Sequence, residues 1–128
     1  MRVLCCGDRN WSSFNIIRRE LEKLPKDTEI IQGCANGADT MSAKIAKVLG
    51  LKLVSSKDNN TVINKHGFPA NWNKYGKAAG PIRNKQMLDE GKPDIVLAFH
   101  TNIEKSKGTK NMIEQAKKRG IKVLLIKE

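Results

Sequence analysis

The sequence predicts an α/β fold, a Rossmann-like three-layer sandwich with a parallel sheet of about five strands. Short and continuously apolar runs alternate with helical segments along the chain. Apolar residues at every position of a strand, rather than at alternate positions, are typical of a sheet that helices cover on both faces. Right-handed crossovers between such strands favour the strand order 3-2-1-4-5. A chain of 128 residues has the size of one domain, which we expect to span residues 1–128.

The first half of the chain contains three predicted strands and two predicted helices. The strands cover residues 2–6, 29–32 and 51–54, and the helices cover 14–24 and 38–49. In the first helix apolar side chains recur at helical spacing, Ser12 or Ser13 is placed to cap its start, and Pro25 ends it. Gly50 follows the second helix, where a glycine commonly ends a helix.

The second half begins with a long segment that has no hydrophobic periodicity. Residues 55–79 are rich in loop-forming residues, and we expect 55–77 to be a mobile cover over a binding pocket. Pro81 stands in the position of a first-turn proline, which starts a helix over 82–90. The remaining predicted elements are a strand over 94–99, a helix over 109–119 and a strand over 121–126.

The composition favours an anionic partner. The chain carries 24 basic and 13 acidic residues, a net charge of +11, which suggests nucleotides, nucleic acid or phosphorylated metabolites. The three cysteines include no CxxC pair, so we expect buried free thiols rather than disulfides or a metal site. No apolar run approaches the length of a membrane span and no signal peptide is evident, so we expect a cytoplasmic protein with no membrane partner.

Glycine-containing turns follow the predicted strands at the edge where α/β sheets bind their ligands. They let backbone N–H groups approach a phosphate, and a helix N-terminus favours its negative charge. From these turns, and from the run around Arg83, we predict ligand-binding residues and neither a metal nor a cofactor. They are Gly7, Asp8, Arg9, Trp11, Gly33, Ala35, Gly37, Asp39, Gly80, Arg83, Asn84, Gly108 and Thr109.

The run from Gly80 to Arg83 predicts an anion site. A Gly-Pro pair there begins the predicted helix and places Arg83 in its first turn, where a cation opposes the helix dipole unless an anion is bound. We expect Gly80, Arg83 and the Gly108-Thr109 turn to converge on one anion, so that Arg83→Ala weakens nucleotide binding by about 1.5–3 kcal/mol. Neither a Walker A motif nor Gly-x-Gly-x-x-Gly is present, which disfavours ordinary NAD or kinase chemistry.

Four segments together resemble a known family. They are Cys-Gly-Asp-Arg-Asn-Trp, Gly-Cys-Ala-Asn-Gly-Ala-Asp, Phe-Pro-Ala-Asn-Trp and Ala-Gly-Pro-Ile-Arg-Asn-x-x-Met. In this order, over nearly the whole chain, they look like the YspA/YpsA-related branch of the SLOG superfamily. The superfamily also contains the LOG phosphoribohydrolases and the DNA-processing protein A fold. The resemblance implies a Rossmann-like domain that binds a nucleotide or a nucleotide-derived ligand, to sense it or to process it.

The resemblance to the LOG enzymes is partial. Arg83 and Met87 match the Arg-x-x-x-Met helix that carries a catalytic arginine in that family, and Gly108-Thr109 matches part of its Gly-rich loop. No Gly-Gly pair precedes Gly108, and Met112 stands where the family has a glutamate. If the protein is an enzyme, the resemblance implies a hydrolase of nucleotide-derived substrates. Its candidate catalytic residues are Arg83, Asp8 and Asp39, and we expect weak or absent phosphoribohydrolase activity.

Two other functions stay open from the sequence. The protein is a nucleic-acid binding module if the lysines and arginines of 105–119 form a continuous basic stripe, or a subunit of a homo-oligomer whose pocket is vestigial. We expect a homo-oligomer in either case. Trp11, Trp72 and Tyr75 are candidates to stack on a base, or to serve as core or cover residues. Asp39 either orients a ribose hydroxyl or caps its helix, and we interpret His66 and His100 as structural.

Overall fold

The computed structural model describes residues 1–56 and 67–128. The strands are Arg2–Gly7 (β1), Glu29–Ile31 (β2), Lys52–Leu53 (β3), Ile95–Phe99 (β4) and Lys122–Ile126 (β5). The α-helices are Phe14–Glu22 (α1), Ala38–Val48 (α2), Trp72–Tyr75 (α3), Ala79–Gly91 (α4) and Lys107–Lys118 (α5). Single 3₁₀ turns cover Gly76–Ala78 and Ile103–Lys105. In these two described ranges, no helix is long and apolar enough to cross a membrane.

The five strands form one parallel sheet in the order β3-β2-β1-β4-β5. This confirms the predicted α/β fold with its Rossmann-like layers, and the predicted strand order. Leu4 of β1 pairs with Ile31 on one side and with Val96 on the other. The strand order therefore reverses between β1 and β4, and the carboxyl ends of these two strands, Gly7 and Phe99, meet at the point where α/β sheets commonly bind ligands.

The helices cover both faces of the sheet, and each face has its own apolar cluster. Ile17 of α1 and Ile45 of α2 belong to one cluster, whereas Met87 of α4 and Met112 of α5 belong to the other. The adjacent Cys5 and Cys6 divide between the two, as expected for neighbours in a strand. Burial raises the pKa of Cys5 to about 12 and that of Cys6 well above its usual value, so both thiols are protonated core groups.

The segment before α4 is more ordered than the sequence predicts. Asn71 caps α3, because its side-chain oxygen accepts a hydrogen bond from Lys74 N at 3.0 Å, and a 3₁₀ turn links α3 to α4. A helix of four residues is too short to show periodicity, so the prediction of a loop over 55–79 was wrong for 72–78. Of the predicted mobile cover, residues 57–66 lie outside the described residues, His66 among them, while Phe68 is a core side chain.

The start of α4 also differs from the prediction. The helix begins at Ala79 rather than at Ile82, with Pro81 as its third residue. Arg83 therefore lies in the second turn, and the argument that it opposes the dipole from the first turn was wrong. Its position is decided instead by contacts with the loop after β2.

Candidate functional site

A cleft of about 330 Å³ opens at the carboxyl ends of β1 and β4, where the strand order reverses. Its walls are the loop after β1, the loop after β2, the middle of α4 and the start of α5. Nine of the predicted ligand-binding residues line it, and they are Gly7, Asp8, Arg9, Ala35, Asp39, Arg83, Asn84, Gly108 and Thr109. Most of the predicted ligand-binding residues thus lie together at one edge of the sheet, although they have different structural roles there.

The loop after β2 uses its own polar groups internally. The Oδ2 atom of Asp39 accepts hydrogen bonds from Gly33 N at 3.2 Å and from Ala35 N at 3.3 Å. At the start of α2, Ala38 N donates to the carbonyl of Asp8 at 3.0 Å, and Thr40 N donates to that of Ala35 at 3.2 Å. Four N–H groups that the glycine pattern suggested for a phosphate are therefore bonded within the protein.

The glycines of this loop are required by close packing. A Cβ at Gly33 would lie 2.5 Å from Nη1 of Arg83, and a Cβ at Gly37, whose φ is +78°, would overlap the carbonyls of Asp8 and Arg9. Neither Gly33 nor Gly37 lines the cleft. The pattern Gly33-x-Ala35-x-Gly37-x-Asp39 therefore shapes a wall of the cleft, and Gly33 borders a neighbouring concavity instead. The ligand contact expected for these two glycines stays a prediction.

Arg83 crosses from α4 to that wall. Nη1 donates to the carbonyl of Gly33 at 2.6 Å, and Nε donates to Oδ1 of Asn84 at 3.1 Å. Among the described residues, Nη2 has no hydrogen-bond partner, and Arg83 borders the cleft. The guanidinium is thus fixed in orientation, with part of its donor capacity left for an anion.

Asp39 is a buried carboxylate next to this guanidinium. Burial raises its pKa from 3.8 to about 6, while the charge of Arg83 and the N–H groups of Ala35 and Gly33 act in the opposite direction. Since Asp39 fastens the loop after β2 through these two N–H groups, its side chain is first of all a structural acceptor, and it makes no hydrogen bond that caps the start of α2. As a candidate catalytic acid, Asp39 offers only a carboxyl group whose pKa of about 6 lets it change charge near neutral pH.

Asn84 joins α4 to α5 rather than facing a ligand. Its amide nitrogen donates to the carbonyl of Gly108 at 3.2 Å and to Oδ1 of Asn111 at 3.1 Å, and its oxygen accepts from Arg83. The side chain is buried. Asn84 therefore positions Arg83 relative to the first turn of α5, a role that its sequence position does not reveal.

The first turn of α5 is the open side of the cleft. Ser106 caps the helix, because its Oγ accepts a hydrogen bond from Thr109 N at 3.0 Å. The N–H groups of Lys107 and Gly108 have no acceptor among the described residues, as expected for the start of a helix. A Cβ at Gly108 would meet no heavy atom within 4 Å. The backbone is thus accessible there, as predicted for this turn.

Charged and polar side chains complete the cleft. Arg9, Arg83, Lys105 and Lys107 line it, against the two carboxylates Asp8 and Asp39. Asp8 accepts a hydrogen bond from Asn10 N at 2.9 Å, which closes the turn after β1. An excess of cations around a helix N-terminus favours an anionic ligand.

His100 is a cleft residue that the sequence interpretation took as structural only. Its Nδ1 accepts a hydrogen bond from Asn102 N at 3.0 Å, so in the neutral ring the proton lies on Nε2. Its place directly after β4, at the carboxyl end of a strand beside the switch point, was the signal that could have identified it.

Two other predicted ligand residues lie away from the cleft. Trp11 is a core residue, only 3% exposed, with its ring edge-to-face against Phe99 at 5.6 Å and Nε1 bonded to Ser13 O at 2.8 Å. Gly80 lies beneath the ring of Trp72 instead of lining the cleft. Trp11 thus takes the core position that the sequence left open as its alternative, and neither residue borders the cleft. The ligand contact expected for Gly80 stays a prediction.

In the part of the chain that the structure describes, no glutamate replaces the LOG-type glutamate at the cleft. Met112, at the matching position, is buried in the core, and Glu114 is exposed on the outer surface of α5 and does not line the cleft. Glu114 interrupts the basic face formed by Lys107, Lys110 and Lys118. The stripe is broken further because Lys110 pairs with Glu104 and Arg119 pairs with Asp89.

Comparison with known proteins gives one relationship of full length. No protein-family model matches the sequence. The sequence is similar to the Gene 61 protein of Mycobacterium phage D29, with 32% identity over 127 residues that cover 96% of this chain and 94% of the relative.

Proposed function

We propose that this chain, which belongs to the family of the Gene 61 protein of Mycobacterium phage D29, binds a nucleotide or a nucleotide-derived ligand in the cleft between β1 and β4. The observation that carries the proposal is the first turn of α5, where the accessible backbone at Gly108 faces a cleft rich in cations. The resemblance to the YspA/YpsA-related branch of the SLOG superfamily supports the same ligand class. Such a site suits sensing as well as processing of the ligand.

The electrostatics of α5 favour a phosphate group. The first turn contains no acidic residue and does contain Lys107, a cation that opposes the helix dipole and so destabilises the free helix slightly. A bound phosphate accepts the free N–H groups and neutralises Lys107 at the same time. The ligand is then the missing partner of a helix end that is otherwise unfavourably charged.

The residues of the cleft support binding of a nucleotide without efficient hydrolysis of it. Among residues 1–56 and 67–128, the carboxylates that border the cleft are Asp8 and Asp39, and both already accept hydrogen bonds from backbone N–H groups. Base release from nucleoside monophosphates is therefore expected to be weak or absent. Robust turnover by the wild-type protein, abolished in Asp8→Asn or Asp39→Asn, would show instead that the LOG-like alternative is correct.

A nucleic-acid binding module is less well supported. The continuous basic stripe that would favour it is interrupted by Glu114 and by the pairs that Lys110 and Arg119 make with carboxylates.

A cytoplasmic location stays part of the proposal on the grounds given by the sequence. So does a homo-oligomer, which the edge strand β5 suits, because Leu124 and Leu125 on its opposite faces are each 41% exposed.

Isothermal titration with nucleoside monophosphates and with ribose 5-phosphate tests the proposal. The informative variant is Gly108→Ala, whose methyl group meets no atom of the described residues within 4 Å and takes up space that a phosphate at this turn would use. We expect it to weaken binding by about tenfold or more, the loss of roughly one charge-assisted hydrogen bond.

Two lysines of α5 supply a matched pair for the same titration. Lys107→Ala removes a charge at the cleft, and we expect it to weaken binding by about two- to fivefold. Lys117→Ala removes the same charge from the far end of the same helix and should leave the affinity unchanged. Binding that Gly108→Ala does not alter, or no binding of any of these compounds, would contradict the proposal.

A further inference from the structure

A second concavity of about 270 Å³ adjoins the cleft. Arg9, Ala35 and Arg83 line both spaces, so the two lie side by side and share these three side chains as a boundary. The far side of the second concavity is formed by Pro69 and Trp72. Each space alone lies near the lower limit of about 300–1,000 Å³ that is typical of small-molecule sites, whereas the two together fall well inside it.

Trp72 differs from the other tryptophan of the chain. Trp11 is a core residue, whereas Trp72 is 49% exposed although it borders a concavity. The Cη2 atom of Trp72 would lie 3.5 Å from a Cβ at Gly80, so one edge of the indole rests on α4. Asn71 caps the short helix that carries Trp72. The ring is thus supported at its edge while about half of its surface stays open.

We infer that the second concavity is the base subsite of the ligand site, in which a nucleobase stacks on Trp72 while the phosphate lies at the first turn of α5. This inference rests on the proposed function and adds the orientation of the ligand. The guanidinium of Arg83 lies between the two ends, fixed by Gly33 and Asn84, and Arg9 borders both spaces.

The two ends of the site differ in chemistry in the way that the two ends of a nucleotide differ. An indole face stabilises a planar aromatic ring whichever base is present, because every base has a π face. The cleft offers cations and backbone donors, which suit a phosphate rather than a base. In this arrangement the sugar lies beside Ala35, a nucleotide occupies both spaces, and a sugar phosphate occupies only the cleft.

The experiment compares a ligand with a base against one without it. The four common nucleoside monophosphates and ribose 5-phosphate are titrated into the wild-type protein and into Trp72→Leu, Trp72→Phe and Tyr75→Leu. Tyr75 is a matched control because it is an exposed aromatic residue of the same short helix that borders neither the cleft nor the second concavity. Tryptophan emission is recorded together with the calorimetric signal.

The inference predicts that Trp72→Leu weakens binding of the nucleoside monophosphates about 5- to 150-fold and leaves ribose 5-phosphate unchanged. Trp72→Phe restores most of the affinity, and Tyr75→Leu changes neither ligand. Nucleotides quench the emission of the wild type, and ribose 5-phosphate does not.

Three results would overturn it or its premise. Nucleotide binding that is unchanged in Trp72→Leu, or equal losses for both kinds of ligand, overturns the base subsite alone. Failure of the wild type to bind any of the five compounds overturns the proposed function as well.

Discussion

The turn that precedes α2 and the first turn of α5 both contain glycine, and they use it in opposite ways. In the turn after β2, Gly33 and Gly37 are pressed against Arg83 and against backbone carbonyls, and the N–H groups around them are bonded within the protein. In the first turn of α5, a Cβ at Gly108 would meet no atom of the described residues within 4 Å, and the helix start is open. The glycine-containing turn after β2 therefore builds a wall of the cleft, and the first turn of α5 offers the free N–H donors.

A glycine can be required for either of two physical reasons, and the sequence alone does not tell which of the two applies. One is close approach of the protein to itself, which makes a side chain costly for folding. The other is close approach of a ligand, which makes a side chain costly only for binding. Substitutions that add a single methyl group distinguish the two causes, because each affects a different measurement.

The largest expected effect is on the stability of a glycine variant in the wall. Gly37→Ala should lower the free energy of unfolding by about 2–5 kcal/mol, since it combines strain at a positive φ with overlap against two carbonyl oxygens. Urea denaturation measures it.

Gly50→Ala is the matched control for Gly37→Ala. Gly50 has a similar φ of +76°, but a Cβ there meets no atom within 4 Å, so we expect a loss of only about 1 kcal/mol. Equal losses for the two variants would show that backbone strain alone, and not packing of the wall, requires the glycine.

The second prediction concerns the carboxylate that fastens the wall. Because the pKa of Asp39 is raised from 3.8 to about 6 by burial, the folded protein holds a proton that the unfolded chain releases. Stability from this group is therefore complete below pH 3.8 and is lost as the pH rises through about 6, by about 3 kcal/mol.

Urea unfolding at several values between pH 4 and pH 7, in wild type and in Asp39→Asn, isolates that contribution from other groups. The free energy of unfolding of the wild type relative to the variant should fall across this window. A difference that rises with pH would mean that Arg83 and the backbone N–H groups outweigh burial at Asp39.

Much of the fold was predictable, because its signals are local or follow from general topology. The apolar runs, the glycine after α2 and the crossover rule together gave the strands and their order. The roles of Gly33, Asn84 and Trp11 were not predictable, because each is decided by a residue far away in the chain. Gly33 meets Arg83 from 50 positions further on, Asn84 meets Gly108 from α5, and Phe99 from β4 covers Trp11.

The third prediction tests whether Arg83 belongs to the wall as well as to the site. Arg83→Met removes the donor to Gly33 O and the cation beside Asp39, so it should destabilise the protein before any ligand is added. For this reason, loss of binding in Arg83→Ala alone does not identify an anion contact.

A double-mutant cycle with Asp39→Asn, followed by urea denaturation at pH 7, measures how far Arg83 and Asp39 act together. We expect a coupling of about 1–2 kcal/mol, as for partly buried neighbours in one network. If the losses of unfolding free energy in the two single variants simply add, Arg83 does not stabilise the loop after β2 through Asp39, and ligand binding is its remaining role.

The smallest effect, and the sharpest comparison, concerns two serine caps. Ser106 caps α5 at the cleft and Ser13 caps α1, where its Oγ accepts from Ile16 N at 3.4 Å, away from the residues that line the cleft. Without ligand, Ser106→Ala and Ser13→Ala should each lower the free energy of unfolding by about 1 kcal/mol.

A bound phosphate changes only one of these two costs. In Ser106→Ala the N–H of Thr109 is released, and a phosphate at the first turn of α5 accepts it in place of the serine oxygen. In saturating ribose 5-phosphate the cost of Ser106→Ala should therefore shrink, while that of Ser13→Ala stays the same. Thermal or urea unfolding of both variants, with and without the sugar phosphate, measures the change. If Ser106→Ala lowers the free energy of unfolding equally with and without the sugar phosphate, the anion binds elsewhere. The first turn of α5 would then offer no more donors to a ligand than the turn after β2 does.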